Sequence, residues 1–85
     1  MVPTIYQREG IKVNMNNLDH NPPHVHVHYS EYEAKLEIST GVVMDGKLPP
    51  RKLKLAQHVV EENREKLLEM WANRMQPGGI YQIKD

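Results

Sequence analysis

Four of the five histidines in this chain fall between His20 and His28. His24, His26 and His28 alternate with Val25, Val27 and Tyr29, so a strand would place all three imidazoles on one face. Rings at i and i+2 on a strand have Cβ atoms roughly 7 Å apart, close enough to share one metal ion. His24 and His26 form that pair, and Asp19, His20 or Glu37 stands within reach as a third ligand for zinc or nickel. Without a metal, the same imidazoles could serve as acid or base near neutral pH. The plainest alternative makes them polar-face residues of a half-buried sheet, beside Glu33, Lys35 and Glu37.

The elements that must position these groups are short. Thr4 to Arg8 and Ile11 to Met15 flank Glu9-Gly10 and read as a hairpin with Ile11, Val13 and Met15 on its buried face. The stretch from Asn16 to Pro23 is dense in turn-forming residues and is expected to be a surface loop. Beyond it the histidine strand turns back through Glu31-Tyr32 into Ala34, Leu36 and Ile38. That turn pairs Val27 with Leu36, Val25 with Ile38, His26 with Glu37 and His28 with Lys35. Thr40-Gly41 leads into a strand over Val42 to Met44, which Asp45-Gly46 ends.

Pro49-Pro50 suits the first turn of a helix, and one long helix is expected over about 50–75. On a helical wheel Leu53, Ala56, Val60, Leu67 and Trp71 share one sector, flanked by Val59 and Met75. Glu62 and Lys66 suit an exposed i, i+4 pair, and Pro77-Gly78-Gly79 stops the helix. Residues 76–85 form a tail, within which Ile80 to Lys84 reads as a last strand or a loose end. Asn63 and Arg64 interrupt the apolar sector and need partners: Arg64 either snorkels to the sheet's rim or reaches an anionic ligand or Asp19, with Asn63 beside it. His58 falls opposite the core sector, on the surface. The expected architecture is a single α+β domain over 1–85, an antiparallel sheet of four to five strands packed on one long C-terminal helix.

Composition narrows the function. Eleven basic and eleven acidic side chains cancel, so no whole-chain field draws the protein to nucleic acid or an anionic membrane. The absence of cysteine removes thiolate catalysis and cysteine-based zinc sites, and suits the reducing cytoplasm. No stretch approaches the roughly 18 apolar residues of a membrane span. At 85 residues the core is small, and a homodimer or a partner would add stability.

Two motif resemblances follow. His24-Val25-His26-Val27-His28-Tyr29-Ser30 resembles the histidine-triad hydrolase motif, although Ser30 stands where that motif has an apolar residue and the stretch lies early in the chain. More extensively, several stretches together resemble the bacterial domain-of-unknown-function family numbered 4160. They are Pro3-Thr4-Ile5, Asp19-His20-Asn21-Pro22-Pro23-His24-Val25-His26-Val27, Gly46-Lys47-Leu48-Pro49, Arg51, and the helix from Asn63-Arg64-Glu65-Lys66-Leu67 through Trp71. Val25 stands where that family usually has an aromatic residue, and Asn63 where many members have histidine.

The resemblance implies a small protein encoded beside another small protein, in a toxin–antitoxin-like pair. It carries over His20, His24 and His26, with Arg51 and Arg64 at basic positions. The expected ligand-binding set is therefore Asp19, His20, His24, His26, Arg51, Asn63 and Arg64, in a binding or regulatory module. As an alternative, a small toxin-type ribonuclease or other phosphate-acting enzyme would use His24 or His26 as general acid or base and Arg64 on the phosphate. The expected partners are the neighbouring gene's product, a second copy, or an anionic ligand or RNA, with no membrane.

Overall fold

The computed structural model describes residues 4–84. Five antiparallel strands lie in chain order in one sheet: β1 (Thr4–Arg8), β2 (Ile11–Asn14), β3 (His24–Tyr29), β4 (Tyr32–Glu37) and β5 (Val43–Lys47). Two helices follow, α1 (Pro50–Glu62) and α2 (Arg64–Ala72). The period-2 alternation explains the sheet, since Val13, Val25, Val27, Ala34 and Leu36 are each at most 1% exposed. They share one core cluster with Ala56, Val59 and Val60 of α1 and Leu67, Met70 and Trp71 of α2. Each large aliphatic side chain buried there contributes about 1.5–3 kcal/mol against leaving it in water.

The single long helix is corrected to two. At Asn63 the backbone (φ −113°) leaves helical geometry. The side-chain Nδ2 of Asn63 donates to the Val59 carbonyl at 2.9 Å, the same oxygen its backbone N–H reaches at 3.1 Å. An asparagine amide competing for a helical carbonyl favours a break. The second helix ends at Ala72 rather than near 75, so Met75 lies beyond it, 68% exposed, while Met70 fills the core. Over the described residues 76–84 the tail forms no strand and is held in place. Ile83 is buried and donates its N–H to the Ile5 carbonyl at 2.7 Å, which ties the chain end to β1.

Two turns also differ from expectation. The β3–β4 turn is Ser30-Glu31, one residue earlier, which pairs Val27 with Ala34, Val25 with Leu36, His26 with Lys35 and His28 with Glu33. A register slip of two keeps every side chain on its face, so the apolar pattern cannot distinguish the two registers. The turn does, because Ser30 adopts φ +52°. Ser30→Gly relieves that left-handed strain and is expected to raise stability by about 0.5–1 kcal/mol in urea denaturation; a loss of stability would contradict the turn. The last strand does not stop at Asp45-Gly46 but runs through it, because a bulge at Met44 shifts the pairing from Leu36↔Val43 to Lys35↔Asp45. Gly46 (φ +77°) fits there alone, as a Cβ would lie 2.1 Å from the Glu33 carbonyl oxygen.

Candidate functional site

The loop between β2 and β3 carries Asp19 back over the first turns of the histidine strand. Asn16 starts it: its Oδ1 accepts from the Leu18 N–H at 2.9 Å, and its carbonyl accepts from the Asp19 N–H at 3.2 Å. From the helical layer Arg74 clamps the loop, its Nε and Nη2 donating to the Asp19 carbonyl at 3.3 and 3.1 Å. Arg74 is itself fixed, with Nη1 on the Trp71 carbonyl at 2.8 Å and its guanidinium 4.0 Å over the Trp71 ring. Trp71 adds a second anchor, donating Nε1–H to Asn21 Oδ1 at 3.2 Å.

So held, the Asp19 carboxylate meets two imidazoles. Its Oδ2 lies 2.7 Å from His26 Nε2 and 3.2 Å from His24 Nε2. Partner chemistry assigns the protons. A carboxylate only accepts, so His26 donates from Nε2 to Asp19. A carbonyl only accepts too, so His24 donates from Nδ1 to Pro22 at 2.9 Å. The two rings, two residues apart, thus hold opposite nitrogens protonated. His24 Nε2 is left buried and without a hydrogen-bond partner, because its short contact with Asp19 is misaligned for one. The His24 ring packs between His26 and Trp71, with centroid separations of 5.2 and 5.3 Å.

On the other side of His26 the ring faces acceptors. Glu33 Oε1 lies 3.7 Å from His26 Nδ1 and 3.9 Å from His28 Nε2, too far for direct hydrogen bonds. A shallow cavity of about 310 Å³ opens there, lined by Asn14, Asn16, His26, His28 and Glu33. Asn14 Oδ1 is buried without a partner.

The structure therefore unites Asp19, His24 and His26 and scatters the rest of the expected set. His20 is exposed. The Glu37 carboxylate accepts from the Thr40 hydroxyl at 2.7 Å. Arg64 sits at the sheet's rim, its Nε donating to the Ile38 carbonyl at 2.8 Å, as the snorkelling reading has it. Asn63 serves the helix break described above. Arg51 is exposed in the first turn of α1, on a groove shared with Tyr29 at the opposite end of β3 from His24. His58 is exposed and pairs with Glu62, which also reaches Arg8 at 3.6 Å. Arg74, Asn14 and Glu33 are the site's contributors that sequence reasoning missed. Glu33 had a signal in its alternation opposite the histidines; Arg74, 55 residues from its partner Asp19, had none.

Fold and site together define a small α+β domain in which a five-stranded meander and a two-helix layer fix a histidine–aspartate centre. The chain belongs to the family described as Domain of unknown function (DUF4160), whose model matches residues 10–72. That span runs from β2 through α2 and includes the whole Asp19–His26 centre, as the motif resemblance implied. No curated protein and no solved structure matches the chain. Among the described residues no helix is long and apolar enough to cross a membrane.

Proposed function

We propose that the protein is a small binding and regulatory module whose ligand seat is the cavity beside His26. The observation that carries this reading is the direction of its polar groups. With Nε2–H given to Asp19, the neutral His26 ring offers Nδ1 as an acceptor, and the Glu33 carboxylate and the partnerless Asn14 Oδ1 are acceptors as well. Of these, His26 Nδ1 and the Glu33 carboxylate favour a small ligand bearing N–H or O–H donors, an amine or a polyol, over a phosphate or RNA backbone.

Histidine side-chain ¹H–¹⁵N correlation spectra test it. Ethanolamine is expected to move the His26 and His28 nitrogens, and inorganic phosphate to leave them in place. The reverse pattern would overturn the donor-ligand reading in favour of an anion site.

One observation favours a second reading, in which His26 is a general base. Its short contact with Asp19 is the orientation that such a base requires. His24, whose Nε2 is sealed from solvent, supports no such role, and Arg64 is engaged at the sheet's rim. The partner protein belongs to the proposal too, as one half of a toxin–antitoxin-like pair in the cytoplasm. What supports an association, with that partner or with a second copy, is the exposure of Met44 on the edge strand β5 and of Val42 just before it.

A further inference from the structure

Asp19, His24 and His26 meet around one buried nitrogen, His24 Nε2, that has no hydrogen-bond partner. His24 has a side chain 7% exposed, and its Nδ1–H is committed to the Pro22 carbonyl. With that proton on Nδ1, Nε2 holds a lone pair that is buried, 3.2 Å from Asp19 Oδ2 and without a hydrogen-bond partner. A buried acceptor left unserved beside a carboxylate is unfavourable, and a positive centre bound by both atoms relieves it. We propose that this centre is one divalent transition-metal ion, bound by His24 Nε2, His26 Nε2 and an Asp19 carboxylate oxygen.

Geometry and ligand chemistry both fit. One donor atom from each of the three residues lies within 4.8 Å of the other two, and this is the one such group among the described residues. Metal–ligand bonds of about 2.0–2.2 Å set tetrahedral ligand atoms about 3.4 Å apart. The His24–Asp19 separation of 3.2 Å is already near that value, whereas the His26–Asp19 contact of 2.7 Å must open slightly as the His26 proton moves from Nε2 to Nδ1. The outer groups are also in place. A ligating imidazole usually donates its remaining N–H to a carbonyl or carboxylate, and His24 does so to Pro22 while His26 turns Nδ1 toward Glu33. Two imidazoles and one carboxylate suit zinc, nickel or cobalt, and poorly suit magnesium or calcium, which prefer all-oxygen shells. Three protein ligands leave at least one coordination position for water or another ligand.

The metal goes beyond the donor-ligand reading and does not depend on it; that reading describes the metal-free protein, since a metal on Nε2 leaves the His26 proton on Nδ1 and turns that nitrogen from acceptor to donor. Trp71, the one tryptophan of the chain, lies 5.3 Å from the His24 ring and reports the site.

Untagged, chelator-treated protein is titrated with zinc chloride by calorimetry and with nickel chloride by Trp71 emission. One ion per chain is expected, with quenching by nickel. Asp19→Asn and His24→Gln are each expected to weaken zinc by at least about 10- to 100-fold, the loss that even outer-shell partners command. His20→Ala and His58→Ala are expected to bind as the parent does. Should His24→Gln fail to fold, Asp19→Asn decides alone, because it preserves the shape of the side chain. Absence of binding at sub-millimolar zinc would overturn the proposal. Binding that survives Asp19→Asn, or that His20→Ala or His58→Ala abolishes, would overturn it equally.

Discussion

Replacing Arg74 by leucine is expected to lower the free energy of unfolding by about 2–3 kcal/mol and to release the Asp19 loop. Arg74 makes three hydrogen bonds, two to the Asp19 carbonyl and one to that of Trp71, and stacks on the Trp71 ring. Charge-assisted bonds contribute about 1.5–3 kcal/mol each when well buried. Arg74 is half-buried, so water replaces part of what is lost and the sum is smaller than three full bonds. Leucine fills the volume of the stem but leaves the Asp19 carbonyl unserved, while the Trp71 carbonyl keeps the backbone N–H of residue 74 at 3.3 Å. Arg74→Lys keeps the charge and loses the fork, and is expected to recover less than half of the difference. Urea denaturation followed by Trp71 emission measures both; a cost below about 0.5 kcal/mol for Arg74→Leu would show that the loop is held by other contacts.

Asp19 gives the second large effect, with an instructive split between two substitutions. Asp19→Ala removes the acceptor of the His26 Nε2–H, a group whose side chain is 15% exposed, and is expected to cost about 2 kcal/mol. Asp19→Asn places an amide between the two rings. Its NH₂ satisfies His24 Nε2 if His26 moves its own proton to Nδ1, so the metal-free protein is expected to keep its stability within about 0.5 kcal/mol. The two variants agree on metal, which both lose, and differ in stability. An equal loss of stability in both would mean that the carboxylate's charge, rather than its hydrogen bond to His26, holds the loop.

Much of this fold is legible in the residues because its core follows simple periods. Alternation separates Val25 and Val27 from the histidines, and the Asn16–Pro23 run marks the loop that carries Asp19. What the periods cannot resolve are choices of equal pattern. A two-residue slip of β4 preserves every face, and only the backbone of Ser30 selects between registers. The helix break at Asn63 depends on one side-chain hydrogen bond, which no wheel displays.

The site was half legible for a related reason. His24 and His26 share a strand, so their proximity follows from spacing alone. Their third member follows from a loop closing on itself, and of the neighbours Asp19, His20 and Glu37 the fold brings in Asp19. Arg64 attracts attention by interrupting an apolar stripe, yet the guanidinium that serves the site is that of Arg74, placed there by the end of α2 at Ala72.

The central claim is that His24 and His26 form one centre through Asp19, rather than standing as separate surface histidines. Long-range ¹H–¹⁵N correlation of the metal-free protein at pH 8, above the ordinary imidazole range, tests this most directly. The expected result is opposite tautomers in the two rings, with the proton on Nδ1 in His24 and on Nε2 in His26. Two rings in the same tautomer, or both averaging between tautomers as free imidazoles do, would contradict it.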